Sequence, residues 1–315
     1  MKQILVTGGA GFIGSHLVEE LLKRNYFVKI LDNFSTGKLE NLAHLDQSKI
    51  QIIKGDVSHF EDVFEAAQHV EAIYHEAALV SVPLSIQNPQ LSFQTNSLGS
   101  FNVFETARCL NISKVIYASS AAVYGTNQHL PLKETELCEP LSPYALEKYY
   151  TEQLAHLYFH LYGISSVGLR YFNVYGERQD PTSPYSGVIS IFVNKLLKDQ
   201  KITIFGDGEQ TRDFIYVKDV ISANILALQY SEKSAQVFNV GTQHITTLNQ
   251  LLAILKNQLN VVCAPQYQES RAGDIKHSCA NNSKLKETLH WKSEYLLDEG
   301  LVHYLTWHNN NHEKI

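Results

Sequence analysis

Residues 7–14 read TGGAGFIG, in which three glycines stand three positions apart. The segment before them, QILVTG (3–8), has the composition of a buried strand, and GSHLVEELLKRN (14–25) has apolar residues at helical spacing. Glycines in a strand-to-helix turn let the backbone approach a pyrophosphate, to which the helix N-terminus offers amide hydrogens. An ordinary tight turn gives the same pattern. The stretch therefore predicts a dinucleotide site only if the flanking sequence agrees.

Short β-branched segments alternate with helical segments over the first 120 residues. Further strands are predicted at 27–32, 50–56, 72–78 and 114–120, and SSVGLRYFNVYG (165–176) reads as a strand that runs into a loop. Helical segments lie between most of these strands, which implies crossover connections and a parallel sheet covered on both faces. The sequence thus predicts an α/β fold with a doubly wound parallel sheet of the Rossmann type.

The alternation fades beyond about residue 172. Prolines and glycines mark long loops around one helix predicted at about 188–199, and VFNVGT (237–242) reads as a late strand that returns to the main sheet. We therefore predict a cofactor domain and a smaller, discontinuous C-terminal substrate-binding lobe. The boundaries are 1–171 plus about 215–242 for the domain, and 172–214 plus 243–315 for the lobe.

Carboxylates follow the second and third predicted strands. Asp32 lies 18 residues after Gly14, where it can accept hydrogen bonds from both ribose hydroxyls of a dinucleotide. No arginine follows at once in the run DNFSTGK, and a 2′-phosphate would meet the Asp32 carboxylate unfavourably. NAD is therefore preferred over NADP. Asp56 is placed to hold the adenine amino group.

The stretch SPYALEKY (142–149) joins a phenol to an amine. Ser142 can cap a helix and Pro143 suits its first turn, so Tyr144 and Lys148 fall on one helical face. A nearby ammonium and a cationic nicotinamide both favour the phenolate, which makes tyrosine a usable base. Solvated helices carry the same Tyr/Lys spacing, so the pair alone does not distinguish the two interpretations.

Two hydroxyls end the fifth predicted strand. Ser119 and Ser120 lie at the carboxyl edge of the sheet, where doubly wound sheets hold their ligands. A serine hydroxyl there can bridge a substrate and Tyr144. This third group favours the catalytic interpretation of the phenol and the amine.

Composition excludes several other classes. The net charge is −6 with no basic block, which argues against a nucleic-acid partner, and no apolar run approaches the roughly 18 residues of a membrane span. The four cysteines form no CxxC, so we expect a reduced, cytoplasmic protein. His156 and His160 have the spacing of a helical pair but no acidic third ligand, and no metal site is predicted.

Taken together, these motifs resemble the extended short-chain dehydrogenase/reductases over essentially all 315 residues. The resemblance rests on TGGAGFIG, Asp32-Asn33, Asp56-Val57, HEAA (75–78), Asn96, the Ser119/Ser120 strand end and the YxxxK of Tyr144 and Lys148. It implies Tyr144 as acid and base, Lys148 as its modulator and Ser120, rather than Ser119, as the hydroxyl partner. The NAD-binding positions that it implies are Gly8, Gly11, Phe12, Ile13, Asp32, Asn33, Asp56, Val57, Ala77, Lys148 and Tyr171.

Within that family the strand end favours an epimerase. The 4,6-dehydratases carry Thr-Asp-Glu where this chain reads Ser120-Ala121-Ala122, and the UDP-glucuronate decarboxylases need a glutamate that is also missing. RYFNVYG (170–176) and IFGDGEQTRDFIYVKD (204–219) resemble the UDP-hexose 4-epimerases. That resemblance implies oxidation of the sugar at C4, rotation of the 4-keto sugar, and return of the hydride to its other face.

The same resemblance implies a set of substrate contacts. Phe205 would lie by the uracil, Asn173 by a phosphate or sugar oxygen, and Arg212, Arg271 and Asp274 by the diphosphate and ribose, although loop arginines at the surface are the alternative interpretation. The implied set is Ser81, Ser120, Tyr144, Asn173, Val188, Phe205, Arg212, Arg271, Asp274 and Ser278.

The sugar is less closely defined than the reaction. The resemblance implies Ser278 as the family's size-controlling position, and a small residue there leaves room for an N-acetyl group. Val80, Ala121 and Ala122 depart from the N-acetylhexosamine pattern. We favour UDP-GlcNAc/UDP-GalNAc, with UDP-glucose/UDP-galactose as the alternative.

Two other functions are compatible with a dinucleotide-binding fold, but the sequence favours neither. A heptose-nucleotide 6-epimerase would be expected to use NADP, which Asp32 opposes. A non-catalytic dinucleotide sensor would have little reason to retain Ser120, Tyr144 and Lys148 together. The family also leads us to expect a homodimer formed through the helices at about 95–109 and 144–162.

Overall fold

The computed structural model describes residues 1–180, 187–270 and 275–312. Its strands are β1 (Gln3–Thr7), β2 (Phe27–Asp32), β3 (Ile50–Lys54), β4 (Ala72–His75), β5 (Lys114–Ser120), β6 (Ser165–Tyr171), β7 (Asn173–Tyr175), β8 (Thr203–Phe205), β9 (Thr211–Arg212), β10 (Phe214–Tyr216), β11 (Ala235–Val240), β12 (Thr246–Thr247) and β13 (Gln266–Gln268). Its α-helices are α1 (Phe12–Lys23), α2 (Phe60–Ala66), α3 (Val82–Gln87), α4 (Pro89–Phe93), α5 (Gly99–Cys109), α6 (Pro143–Tyr162), α7 (Val188–Leu197), α8 (Val217–Gln229), α9 (Leu248–Leu259), α10 (Ser283–Leu289) and α11 (Leu297–His312).

The main sheet has seven strands in the order β11-β6-β5-β4-β1-β2-β3, and every pairing in it is parallel. The prediction of a doubly wound parallel sheet is confirmed. The late strand predicted at 237–242 is also present, as β11 beside β6. The strand order reverses direction at β1, so a crevice opens between the carboxyl ends of β1 and β4.

Both faces of the sheet are buried. Ile4 and Val6 of β1 belong to one apolar cluster with α1 and α8, whereas Leu5 belongs to a second cluster with α5 and α6. Alternate residues of one strand therefore face two helical layers, which explains the nearly continuous apolar composition of these strands. The rigid sheet fixes the positions of the polar residues that follow its strands.

The strand predicted at 165–176 is divided in the structure. Phe172 makes the last contact with β11, through its N–H to the Val240 carbonyl at 3.1 Å. The next residue, Asn173, instead donates to the Asp213 carbonyl at 3.0 Å and starts β7, which pairs with β10 outside the main sheet. The C-terminal part of the chain begins its own small sheets at this point, with further pairs β9–β12 and β8–β13.

Helix α6 carries the predicted catalytic pair, and local sequence fixes its ends. The Ser142 hydroxyl accepts a hydrogen bond from the Ala145 N–H at 3.2 Å, and Pro143 is the first helical residue. Gly163 ends the helix in the left-handed region at φ 71°. The start predicted from SPYALEKY is confirmed, and it sets which residues of the first turn face the sheet.

Candidate active site

The glycine-rich turn packs too tightly for side chains. Gly8 has φ 69°, and a Cβ on it would lie 2.7 Å from the Ala77 nitrogen. A Cβ on Gly14 would lie only 2.1 Å from the Gly8 carbonyl oxygen, which accepts from the Gly11 N–H. The turn therefore brings bare backbone to the N-terminus of α1, next to Phe12 and Ile13, as a pyrophosphate site requires.

Asp32 ends β2 beside that turn and is buried. Its two carboxylate oxygens accept the backbone N–H groups of Ala10 and Phe34, each at 2.9 Å. A carboxylate oxygen has two lone pairs, so both oxygens retain acceptor capacity for ribose hydroxyls. The fixed orientation and the negative charge of this side chain fit NAD and disfavour a 2′-phosphate.

The predicted adenine contacts lie on the same side of β1. The Asn33 amide donates to the Asp56 carboxylate at 2.7 Å across the β2–β3 edge. Burial tends to raise the Asp56 pKa, but hydrogen bonds from Asn33 and Ser58 lower it below its usual value. Val57 is buried against Gly99, and a Cβ on Gly99 would lie only 2.7 Å from the Val57 side chain. An ionised acceptor and an apolar wall thus stand together.

The predicted catalytic pair faces the carboxyl ends of β4 and β5. Tyr144 and Lys148 are both buried, and the Lys148 amine lies 5.9 Å from the centre of the Tyr144 ring. Burial raises the Tyr144 pKa above its usual value, whereas a hydrogen bond with Ser120 lowers it. The phenol and the Ser120 hydroxyl can therefore share one proton with a substrate hydroxyl.

Ser119 and Ser120 point in different directions. Ser119 is buried under the sheet edge, and its hydroxyl donates to the Glu152 carboxylate at 2.5 Å. Glu152 also receives two hydrogen bonds from the buried Arg170 guanidinium, at 2.8 and 2.7 Å. The ion pair anchors Ser119 beneath the strand end, and Ser120 is left to face Tyr144.

Lys148 is a buried amine with carboxylates near it. Its ammonium group donates to the Ala118 carbonyl at 2.9 Å. Burial lowers the Lys148 pKa to about 8, although the charges of Glu76 and Glu147 act in the opposite direction. Glu147 itself accepts from Ser92 at 2.6 Å and from the Asn96 amide at 2.7 Å.

Glu76 is the titratable group that sequence reasoning left without a role. It follows β4 directly, and its carboxylate accepts from the Tyr171 hydroxyl at 2.9 Å. The Asn224 amide donates to the same hydroxyl at 2.8 Å and so orients Tyr171. Burial raises the pKa of the Glu76 carboxyl to about 7, against the opposing effects of Tyr171 and Lys148. The motif HEAA was its only sequence signal.

His75, next to Glu76, belongs to a buried chain of hydroxyls. One ring nitrogen lies 2.9 Å from the Thr7 hydroxyl, and the other lies 3.1 Å from the Ser100 hydroxyl. Burial, with a smaller effect of the Lys148 charge, lowers the His75 pKa to about 3. His75 is therefore neutral and serves to join the ends of β1 and β4, while Ala77 contacts Thr7 through its N–H at 3.3 Å.

The predicted substrate contacts lie on several elements, from α3 in the first half of the chain to the small sheets of the C-terminal part. Ser81 caps α3, Asn173 starts β7, Val188 starts α7, Phe205 ends β8, Arg212 ends β9, and Ser278 is buried beside β9. The Ser278 N–H donates to the Thr211 carbonyl at 3.3 Å, which places Ser278 next to Arg212 in space. Arg271 and Asp274 lie outside the described residues.

Asp213 ties this part of the molecule to the end of the sheet. Its buried carboxylate accepts from the backbone N–H groups of Thr242, Gln243 and Ala280, at 2.8, 3.0 and 3.0 Å. One carboxylate therefore fixes the segment after β11 against the segment that carries Ser278. Sequence reasoning missed this residue, although it stands in the quoted motif QTRDF.

Neither a metal cluster nor a membrane helix emerges from the described part of the chain. Its His, Cys, Asp and Glu side chains form no group of three or more that could hold a metal ion. None of its helices is long and apolar enough to cross a membrane.

Comparisons with known proteins find a matching family model and relatives of similar length. The model of the NAD dependent epimerase/dehydratase family matches residues 4–241. A Methanocaldococcus jannaschii protein provisionally named a UDP-glucose 4-epimerase is 43% identical over 311 residues, which cover 98% of this chain and 99% of that protein.

Solved structures are similar over the same length. The UDP-N-acetylglucosamine 4-epimerase of Methanobrevibacter ruminantium, in complex with UDP-N-acetylmuramic acid, is 41% identical with a TM-score of 0.94 and covers 98% of both chains. The UDP-glucose 4-epimerase of Thermotoga maritima with UDP-glucose is 38% identical with a TM-score of 0.93, covering 98% of this chain and 99% of that one.

Proposed function

The chain belongs to the NAD dependent epimerase/dehydratase family, and we propose that it inverts UDP-hexoses at C4 through a 4-keto intermediate. The observation that carries the proposal is the group formed by Ser120, Tyr144 and Lys148 at the carboxyl edge of the sheet, beside the glycine-rich turn. The chain is similar to proteins named as 4-epimerases over nearly its whole length.

Bound NAD supplies the group that accepts a hydride and later returns it. Asp32 and the backbone at Gly8 and Gly11 would hold its ribose and pyrophosphate. Tyr144 takes the proton of the sugar 4-hydroxyl when the sugar is oxidised and gives it back when the sugar is reduced. The Ser120 hydroxyl would form a hydrogen bond with the sugar 4-oxygen as well. The proton therefore moves only between the sugar oxygen and the Tyr144 oxygen.

The charge around Tyr144 decides when it can act as a base. Burial alone raises its pKa, which would keep the phenol protonated. The Lys148 ammonium and the positive charge of oxidised nicotinamide both oppose that effect. The base is therefore active when the cofactor is in the form that can oxidise the sugar, and the proton and redox steps become coupled.

Rotation of the keto sugar requires a firm hold on UDP and a loose hold on the sugar. Two guanidiniums, Arg212 and Arg271, would bind the diphosphate, with Asp274 on the uridine ribose, Phe205 by the uracil and Asn173 by a phosphate or sugar oxygen. The neighbours of Ser120 are Ala121 and Ala122, whose methyl groups make no polar contact with a turning ring.

Within this activity we propose UDP-GlcNAc and UDP-GalNAc as preferred substrates. The supporting observation is the small, buried Ser278 beside β9, since a bulky side chain there would fill the space that an N-acetyl group needs. Among the similar structures, one is a UDP-N-acetylglucosamine 4-epimerase and another a UDP-glucose 4-epimerase, so both substrate pairs belong in the test.

Proton NMR of the purified enzyme with UDP-GalNAc and, separately, with UDP-galactose tests the preference. We expect UDP-GalNAc to be converted at least as fast as UDP-galactose, and Ser278→Tyr to lose the N-acetylated substrate selectively. Conversion of UDP-galactose alone by the unaltered enzyme would overturn the preference and leave the epimerase proposal standing. Conversion of neither would overturn both.

We also propose that the enzyme is a homodimer. Apolar side chains on one side of α6 are unusually exposed for a soluble helix, among them Leu146, Leu157 and Leu161 at 59%, 50% and 55%. Leu98 and Phe101, near the start of α5, are also exposed. Sedimentation should give twice the chain mass, and Leu157→Asp should give the monomer. Leu296→Asp, at a leucine before α11 that is 63% exposed, should leave the dimer intact.

A further inference from the structure

Glu76 stands where the nicotinamide half of the cofactor must lie. Asp32 and Asp56 mark the β2–β3 side of the sheet as the adenosine side, and the pyrophosphate turn follows β1. A dinucleotide crosses the carboxyl edge at the switch in strand order, so its other half extends over β4 and β5. Glu76 follows β4 there, between Ala77 and the ring hydroxyl of Tyr171.

The titratable groups around this carboxylate come from several elements. Lys148 on α6 attracts it, and Tyr171 on β6 donates to it. Tyr74 on β4 is raised in pKa, chiefly by burial and also by the Glu76 charge, and the adjacent His75 is neutral. Within the described part of the chain, Lys148 is the cation whose charge acts on Glu76, and Glu147 is the second carboxylate that acts on this lysine.

We propose that Glu76 is an electrostatic positioning residue: its ionised carboxylate keeps Lys148 protonated and favours the cationic, oxidised nicotinamide over the neutral, reduced form. The inference rests on the proposed function only in that it requires bound NAD. It adds a reason why such a site would return to the oxidised cofactor after each turnover. A site with buried Lys148 alone would favour the neutral, reduced ring.

The sign of the pH dependence follows from the carboxyl group. Burial raises the Glu76 pKa to about 7, and a second cation nearby would lower it. The stabilisation of oxidised nicotinamide is therefore present above that range and is lost as the pH falls and the carboxyl gains a proton. A glutamine in its place should remove this dependence and leave the steric arrangement intact.

In the test, the holoenzyme without any UDP-sugar is equilibrated with a mixture of oxidised and reduced benzyl viologen, which sets the redox potential. The bound ring takes up two electrons and one proton, and the near-ultraviolet absorbance of the reduced nicotinamide gives the reduced fraction. At high pH, Glu76→Gln should lower the ratio of oxidised to reduced cofactor about tenfold relative to the unaltered enzyme. The ratios of oxidised to reduced cofactor in the two proteins should become equal as the pH falls through and below about 7.

Two further variants keep the proposal falsifiable. Tyr171→Phe removes the hydrogen bond that lowers the Glu76 pKa, so it should move the pH at which the ratios converge to a higher value. Glu71→Gln changes an exposed carboxylate at the opposite end of the same strand and should have no effect.

Equal ratios for Glu76→Gln and the unaltered enzyme at every pH would overturn the proposal. If Glu76→Gln does not hold cofactor, the titration of Tyr171→Phe against the unaltered enzyme decides, and an unshifted transition contradicts the proposal. Because no sugar is present, failure of this test is separate from failure to epimerise UDP-hexoses.

Discussion

The two halves of the cofactor crevice are built in different ways. Over β1 to β3, the glycine turn and Asp32 act through backbone geometry, and each contact joins residues close to a strand end. Over β4 to β6, by contrast, titratable groups from separate elements meet, namely the buried Tyr144 and Lys148 and the half-buried Glu76. On the roles proposed above, the first half would bind the cofactor, and the second half would set the charges around its reactive ring.

This difference predicts which measurements each half should affect. Substitutions over β4 to β6 should alter turnover, redox balance or stability, because they disturb buried charges that depend on one another. Substitutions over β1 to β3 should alter cofactor affinity more than chemistry. A substitution over β1 to β3 that altered mainly turnover, or one over β4 to β6 that altered only cofactor affinity, would contradict this division.

The largest effect is expected from Tyr144→Phe. The loss of the phenolic proton carrier should lower turnover about 10³-fold, while the cofactor content stays unchanged. NMR measures the epimerisation, and absorbance after protein denaturation measures the cofactor. Tyr150→Phe, on the exposed side of the same helix, is the matched control and should retain full activity. Loss of cofactor from Tyr144→Phe would argue that the tyrosine binds rather than reacts.

The next largest effect is expected for the ion pair beneath Ser119. The side chains of Arg170 and Glu152 are only 5% and 2% exposed, so Arg170→Met leaves a buried carboxylate without its cation. The free energy of unfolding should fall by about 3–5 kcal/mol. Chemical denaturation measures it. The double variant Arg170→Met/Glu152→Leu should recover much of the loss, and an equally unstable double variant would refute a purely electrostatic cause.

On the binding side, Asp32→Ala should weaken NAD affinity about 10- to 100-fold because charged hydrogen bonds to the ribose are lost. Calorimetric titration of protein freed of cofactor gives the affinity, and turnover at saturating NAD should change little. Asp46→Ala removes a comparable acceptor of a local backbone N–H away from the crevice and should leave the affinity unchanged. A collapse of turnover at saturating NAD would contradict the division between the halves.

The smallest effect is expected from Asn33→Ala. This exposed amide makes a 2.7 Å hydrogen bond to Asp56, and its loss should weaken NAD about threefold to tenfold. Asn33→Asp sharpens the comparison, since it would set two carboxylates against each other and should weaken NAD further. The same titration measures both, and an Asn33→Asp variant that binds as well as Asn33→Ala would exclude a role for charge there.

The fold was predictable because its signals are local. Period and composition indicated β1 to β5, and the cap formed by Ser142 and Pro143 indicated the start of α6. The division of residues 165–176 was not predictable, because it depends on a switch of partner from Val240 to Asp213, which lie far away in sequence.

The candidate site was predictable in part for the same reason. Spacing along the sequence identifies Gly8, Asp32 and the Tyr144/Lys148 pair as candidates, and their roles remain predictions. The pairing of Glu76 with Tyr171, and that of Ser119 with Glu152, joins side chains 95 and 33 residues apart. Which of two adjacent serines faces the phenol is likewise a property of the assembled sheet, and a sequence pattern can only suggest it.

The central claim is that the hydrogen removed from C4 returns to C4. The direct measurement is proton NMR of UDP-galactose and UDP-GalNAc incubated with the enzyme in D₂O. We expect inversion at C4 with no deuterium on any sugar carbon, because the migrating hydrogen never exchanges with solvent. Deuterium at C4 or at a neighbouring carbon, or the absence of inversion with both sugars, would contradict it.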